Sequence, residues 1–385
     1  MQHEKTTAPV ASVGADAGQS PKKNTTSSIP DIPSEIKRTS PADSSRLQTK
    51  TMSELYEAIY PSRPPLINGL LYPGTYLFVG APKLGKSFLM AQIAFHISMG
   101  LPICEYPVRK SAVLYLALED DYRRLQERLY RMFGTESADN LHFAISARQL
   151  ANGLDEQLNK FVKAHLDTGL IIIDTLQKIR EMGGESYSYA NDYEIITRLK
   201  CFADHYGLCL LLVHHTRKQQ ADDKFDMISG TNGLLGAADG AFLLQKEERT
   251  SNDATLDISG RDQQDQRLHL KRDPEKLLWL FENAESELWE DPPDPILEAV
   301  AAIVTKAQPI WKGSPTDLVQ KLGLDMKPNV LTLRLNVNAG RLYNDHGVRY
   351  ESSRNHTGRY ILLSLTAVRD DCDGRDDVCG TGGAI

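Results

Sequence analysis

The sequence predicts an α/β protein in which a mostly parallel sheet is covered by helices on both faces. Antiparallel strands extend the sheet, and a small α+β unit follows. Three observations carry that prediction. From Met52 to about Ala284, short β-rich apolar runs alternate with amphipathic stretches, the pattern of strand–helix–strand crossovers. From Ala241 the helical patterns stop and only strand-like runs follow. The string Asp291-Pro292-Pro293-Asp294-Pro295 then marks a linker, after which helices return.

Taken in order, residues 1–50 are rich in Ser, Thr, Pro, Ala and Lys and hold almost no large apolar side chains. Such a segment cannot offset its ordering entropy by burial, so a disordered arm is expected. Strands are expected at Thr75–Val79, Ala112–Ala117, Leu141–Ile145, Leu170–Ile173 and Leu208–Val213. Helices are expected between them at Ser87–Met99, Tyr122–Phe133, Leu154–His165 and Tyr193–Tyr206. Ala241–Gln245, Ala254–Ser259, Arg267–Leu270 and Leu277–Phe281 read as an antiparallel continuation. Beyond the linker, helices are expected at Pro295–Val304, from Ser314-Pro315, and from Pro328 to about Tyr343. Val348–Glu351 and Arg359–Leu363 then form a hairpin, and this order of elements matches a winged helix. The glycine- and aspartate-rich end is a second solvated tail. The expected plan is an arm at 1–50, a large domain at 51–290, a winged-helix-like domain at 291–366 and an acidic tail at 367–385.

Composition excludes several classes. The 385 residues allow two domains, and 41% apolar content with 25% charged residues is ordinary for a globular chain. Five scattered cysteines make no disulfide framework. No apolar run approaches the ~18 residues of a membrane helix, and the N-terminus lacks an apolar signal region. A cytoplasmic protein with no membrane partner is the expectation. The net charge of −7 argues at first against nucleic acid.

The strongest motif is Gly80-Ala81-Pro82-Lys83-Leu84-Gly85-Lys86-Ser87, which fits G-x-x-x-x-G-K-[ST] between a strand and a helix. The two glycines let backbone wrap a phosphate chain, and the helix N-terminus favours negative charge. Lys86 is expected to reach the β- and γ-phosphates, and the Ser87 hydroxyl to ligate Mg²⁺. The loop through Phe88 is thus the expected ATP site. Leu170-Ile171-Ile172-Ile173-Asp174 is a buried-type strand ending in a carboxylate, as needed to hold Mg²⁺ through water. Taken alone, Asp174 also suits a structural turn cap.

Asp174 is followed by Thr175, so the base that polarises the attacking water must lie elsewhere. The strand AVLYLAL ends in Glu119-Asp120-Asp121, on the edge where the phosphate loop should open. Glu119 is nearest the strand end and reaches furthest; Asp120 and Asp121 suit the first turn of the next helix. His214 and His215 end the strand GLCLLLV, where a polar side chain can sense the γ-phosphate. Cys201, His205, Cys209 and His214 have loosely ligand-like spacing, but Cys209 opens an apolar strand and a buried free cysteine is the simpler reading.

Together, LINGLLYPGTYLFVGAPKLGKS, VLYLALEDD, LIIIDTLQKI, LLLVHHTRK and the glycine-rich SGTNGLLGAADG resemble the RecA-fold ATPases related to the plasmid replicative helicase RepA. The chain is similar to the subgroup found in phages and integrated mobile elements, over about residues 52–284. The resemblance implies a homo-oligomeric ring, usually hexameric, with ATP between neighbours and DNA as partner. It also implies the base role for Glu119, a sensor role for His214 or His215, and an arginine finger acting in trans. Where the family places that finger, this chain reads Gly240-Ala241-Phe242-Leu243-Leu244 without an Arg. Arg261 is the substitute candidate and Arg217 the second. The implied function is an ATP-hydrolysing motor on DNA, a replicative helicase, translocase or loader. The alternative is an ATP-gated oligomerising DNA-binding regulator.

RecA-like rings project loops into a central channel, and Arg217, Lys218, Lys224, Lys178 and Arg180 are placed to track a phosphodiester backbone there. In the C-terminal unit, Asn329, Thr332, Arg334, Asn338 and Arg341 on the third helix are the candidate DNA readers. Arg354 and His356 lie on the hairpin, and protein docking is the alternative use of the same unit. Charge distribution removes the first objection: residues 294–366 carry nine basic and six acidic side chains, so the acidity resides elsewhere.

Overall fold

The structure is a computed structural model that describes residues 47, 49–60, 63–180, 189–216, 225, 228, 232–246, 248, 250–261, 263–285, 292–355 and 358–366. The expected arm and tail therefore lie almost wholly outside the described residues.

A short helix α1 (Met52–Glu57) precedes strand β1 (Gly74–Gly80), helix α2 (Lys86–Met99), β2 (Ala112–Ala117), α3 (Tyr122–Phe133) and β3 (Leu141–Ala144). Next come α4 (Leu154–Ala164), β4 (Thr168–Asp174), α5 (Leu176–Ile179), α6 (Tyr189–Tyr206) and β5 (Cys209–His215). Then α7 (Asn232–Ala237) leads into β6 (Gly240–Gln245), β7 (Asp253–Gly260), β8 (Gln263–Arg272) and β9 (Trp279–Ala284). All nine strands form one sheet in the order β3-β2-β4-β5-β1-β6-β7-β8-β9. From β3 through β6 every neighbour is parallel, and β6 to β9 are antiparallel.

Ala241–Gln245 therefore corrects the expectation by one strand: β6 runs parallel to β1, and the switch of direction falls at β7. The reason is α7, a crossover over residues that looked like loop because they are glycine-rich. β9 also sits later than expected, because Leu277 takes a left-handed turn conformation before it.

Side-chain parity builds two cores. Tyr76, Phe78, Tyr115, Ile172 and Leu211 face one layer with residues of α2 and α3. Leu77, Val79, Leu114, Ile171, Ile173 and Leu212 face the other with α4 and α6. A parallel sheet buried on both faces explains the unbroken apolar runs in the sequence. No helix among the described residues is long and apolar enough to cross a membrane.

The C-terminal segment has a third core of its own, built on Leu297, Val300, Leu318, Leu331, Leu335 and Leu342. Its elements are α8 (Pro295–Ala301), β10 (Ile310–Gly313), α9 (Pro315–Leu322), α10 (Pro328–Val337), α11 (Ala339–His346), β11 (Val348–Asn355) and β12 (Gly358–Leu365). β10 joins the hairpin as a third strand, in the order β10-β12-β11. Four residues flanked by proline and glycine gave it too little pattern to be read from sequence. Helix starts follow capping chemistry: Asp294 accepts from the Ile296 and Leu297 amides, and Ser314 forms a capping box with Asp317. The expected single third helix breaks at Asn338 into α10 and α11.

The packing removes Thr332 from the DNA-reader set and gives Arg334, Asn338 and Arg341 partners within the chain. Thr332 is fully buried and its hydroxyl donates to the Pro328 carbonyl. Arg334 is tied to Asp294 at 2.8 Å, Asn338 donates to the Arg334 carbonyl, and Arg341 donates to the Pro292 carbonyl. One face of α10 also receives α1: the Asn336 amide donates to the Tyr56 and Glu57 carbonyls at 3.1 and 3.2 Å, and accepts from the Tyr350 hydroxyl. A threonine whose hydroxyl bonds back to its own helix is compatible with a core position. Asn329 and Arg354 are exposed, and His356 lies outside the described residues.

Candidate nucleotide site

The site is assembled by register. Gly80 at the end of β1 lies beside His215 of β5, Asp174 of β4 lies beside Val213, and Ala117 of β2 lies beside Asp174. Four strands thus end together, and the loop 80–87 opens on the same edge. Parity does the rest: Asp174 points to the side of the sheet shared by Ile172, Tyr115 and α2.

The loop needs its glycines for two different reasons. Gly85, the N-cap of α2, has φ of 103°, a left-handed conformation. Gly80 is held by proximity, because a Cβ there would stand 2.7 Å from the Leu244 carbonyl oxygen of β6. Ala81, Pro82, Lys83 and Leu84 span the loop, with Lys83 also left-handed at φ of 65°.

Lys86 is 6% exposed and curls over the loop, its ammonium donating to the Gly80 and Ala81 carbonyls at 2.8 and 3.0 Å and lying 3.3 Å from His215 Nδ1. Burial lowers its pKa to about 8, against the pull of Asp174 and Glu119. His215 is pushed below its ordinary value by burial and by Lys86, which favours the neutral imidazole. His214 is buried one position earlier.

Asp174 is 5% exposed, and burial raises its pKa while hydrogen bonds from Ser87 and Tyr115 oppose that rise. The Tyr115 hydroxyl donates to Asp174 Oδ2 at 2.8 Å. Thr175, next in the chain, donates to Glu119 Oε1 at 3.3 Å. The three acids after β2 divide their work. Asp121 caps α3 by accepting from the Arg124 amide, and Asp120 is held by Arg128 at 2.7 and 3.2 Å. Glu119 is exposed, and its charge reaches Lys86 and Asp174.

Oxygen donors alone, the Ser87 hydroxyl and the Asp174 carboxylate, meet beside the phosphate loop. Such a set fits Mg²⁺, which is held by few protein oxygens and keeps most of its waters. The zinc spacing does not converge: Cys209 is buried with its thiol on the Tyr72 carbonyl, Cys201 is exposed, and no cluster of three metal-binding side chains occurs among the described residues.

Other candidates are placed away from this edge. Arg261 follows Gly260, which pairs with Gly240 at the opposite end of the sheet, and its guanidinium donates to the Gly236 carbonyl at 2.7 Å. Arg180 is buried against Asp192 at 3.0 Å, which removes it from the channel-lining set. Lys178 is exposed. Arg217, Lys218 and Lys224 lie outside the described residues.

Sequence reasoning missed Tyr115 and the wall behind Gly85. There Trp279 Nε1 donates to the Gly85 carbonyl at 3.4 Å, while the Arg272 guanidinium stacks on Phe88 at 4.7 Å. A lone tyrosine inside the aliphatic run AVLYLAL was a signal, since a buried phenol needs a partner.

Residues 41–221 match the family described as an AAA domain. No curated protein matches the sequence. Among solved structures, an isolated ATPase domain aligns at 16% identity and a TM-score of 0.46, covering 57% of this chain and 85% of that one. A DnaB-like replicative helicase studied with primase aligns at 17% and 0.42, covering 54% of this chain and 58% of that one. The KaiC-like protein PH0186 from Pyrococcus horikoshii aligns at 14% and 0.41, covering 58% and 98%. The phosphate loop, the carboxylate-tipped strand β4 and the parallel sheet with its antiparallel extension make this a RecA-like P-loop ATPase fold.

Proposed function

We propose that the chain binds ATP with Mg²⁺ at the loop Gly80–Ser87 and hydrolyses it as a motor acting on DNA, in the manner of a helicase or helicase-like translocase or loader of a mobile element. The observation that carries the ATPase part is the convergence of Lys86, Ser87, Asp174 and Glu119 on one sheet edge. The loop amides cradle phosphate, and Lys86 exchanges its two carbonyl partners for phosphate oxygens. Ser87 and Asp174 would hold Mg²⁺, which would supply charge neutralisation when bound. Glu119 orients the attacking water, and His215 couples phosphate contact to the end of β5. In this reading ATP lies at the junction of ring neighbours, probed in trans by Arg261, and six subunits surround single-stranded DNA.

Support for DNA comes from the sequence resemblance and from the basic C-terminal segment, whose helix–strand–helix–helix–hairpin order suits a winged helix. We assign residues 51–290 to the ATPase domain and 291–366 to that second domain. Contact would come from Asn329, Arg354 and the hairpin rather than from the buried faces of α10. The test is strand displacement from a forked duplex with ATP, compared with Lys86→Ala. Hydrolysis stimulated by single strands without unwinding would point to a loader or translocase. Turnover indifferent to every nucleic acid would sink the DNA motor and leave an ATP-gated regulator.

A further inference from the structure

We propose that Tyr115 is a positioning residue for the metal side of the nucleotide site, its hydroxyl fixing one oxygen of Asp174 so that the other is presented to Ser87 and to the metal's water. The inference rests on the nucleotide-site reading above and extends it to a residue that no phosphate-loop motif includes.

Three observations carry it. Tyr115 is wholly buried in the middle of β2, packed against Phe143 with ring centroids 5.5 Å apart, so its ring has one place to be. Its hydroxyl donates to Asp174 Oδ2, an atom of the proposed metal site, at 2.8 Å, and lies 3.5 Å from the backbone carbonyl oxygen of Ser87. The register makes the meeting obligatory, since Tyr115 pairs with Ile172 and Ala117 with Asp174 on neighbouring strands. Ile172 and Asp174 share a sheet face, and Tyr115 stands beside them.

A strand-end carboxylate has two equivalent oxygens and a soft terminal torsion. Occupying one oxygen with a rigid phenol leaves the other aimed, at no cost in side-chain freedom when the nucleotide arrives. Groups that orient a metal's ligands in this way are worth ~10–100-fold in metal affinity or activity when removed. The phenol proton stays on Tyr115 throughout; no bond forms or breaks at this residue.

The test uses the full chain and Tyr115→Phe, which keeps ring and volume. Binding of a fluorescent ATP analogue is measured in EDTA and across a Mg²⁺ titration, with Mn²⁺ binding to the nucleotide complex read by electron paramagnetic resonance. The expected result is metal-free nucleotide affinity within about twofold of wild type, with the Mg²⁺ and Mn²⁺ midpoints raised about tenfold and turnover recovering at high Mg²⁺. Unchanged metal midpoints overturn the proposal. So does equal loss of metal-free binding, or a variant that fails to fold, since the hydroxyl would then serve the fold. A wild-type chain that binds no nucleotide in any condition removes the nucleotide-site reading itself, and this inference with it.

Discussion

Replacing Gly85 by Ala tests the physical account of the phosphate loop. At φ of 103° an alanine is strained, costing about 1 kcal/mol relative to glycine. The added Cβ would also stand 3.2 Å from Trp279 and 3.3 Å from Arg272 Nη1. Arg272 can swing away, but Trp279 cannot: it is 1% exposed, and its backbone amide and carbonyl are both bonded to the Gln92 side chain, at 2.8 and 2.9 Å. Overpacking against a fixed wall costs about 1–3 kcal/mol. The sum is about 2–4 kcal/mol, which for a domain of this size lowers Tm by about 4–16 °C. Thermal unfolding followed by circular dichroism measures that shift, and nucleotide binding should be lost as the N-cap moves. A Tm within 2 °C of wild type would refute the reasoning, because Trp279 would have yielded.

Three further outcomes follow from the site and its neighbour. Glu119→Gln should bind ATP normally and hydrolyse it at least about 100-fold more slowly, as expected for loss of a general base; unchanged steady-state turnover removes Glu119 from the chemistry. Lys86, lowered to about 8 by burial, is mostly charged at pH 7 and mostly neutral at pH 9, so the phosphates must recruit a proton at the higher pH. ATP should bind about tenfold more weakly at pH 9 than at pH 7, and calorimetry in two buffers should show proton uptake only at the higher pH; equal affinity at both values contradicts it. Burial of Asp294 is outweighed by Arg334 and the amides of Ile296 and Leu297, so its folded pKa lies below the ordinary carboxylate value. Its contribution is therefore present above that ordinary value and lost as pH falls through the folded one. Asp294→Ala should cost the C-terminal unit about 1–2 kcal/mol at pH 7, and the cost should shrink steadily as pH falls below the ordinary carboxylate value, read by urea titration at a series of pH values.

What the sequence revealed depended on whether a residue's role was local. The phosphate loop, the strand ending in Asp174 and the division of Glu119-Asp120-Asp121 are all short-range patterns, and each element was found close to its expected place. β6 was misjudged because the direction of a strand depends on the α7 crossover, which glycines disguised. Thr332 was misjudged because a hydroxyl bonded back to its own helix buries as easily as an apolar group. Tyr115 and Trp279 meet Asp174 and Gly85 only through pairing across 59 and 194 residues of chain. No window of sequence contains such a contact, and only the sheet order creates it.

The same sheet order decides how Arg261 can act. β1 runs from Gly74 to the phosphate loop at Gly80, and its partner β6 begins at Gly240, opposite Tyr76. Gly260 pairs with Gly240, so Arg261 stands at the far end of β1 from the loop. Four residues of strand already separate those levels by about 13 Å, and the Arg261 amide and guanidinium are anchored there to the Asp239 and Gly236 carbonyls at 2.8 and 2.7 Å. A role in its own chain's site is thereby closed, and a role in hydrolysis requires a neighbouring subunit. Lys86→Ala and Arg261→Ala should then each be inactive alone, yet mixing them at equal ratio should restore about a quarter of wild-type turnover, because a quarter of junctions pair an intact loop with an intact arginine. An Arg261→Ala protein as active as wild type, or a mixture as dead as its components, would leave the guanidinium with only its structural bond to Gly236.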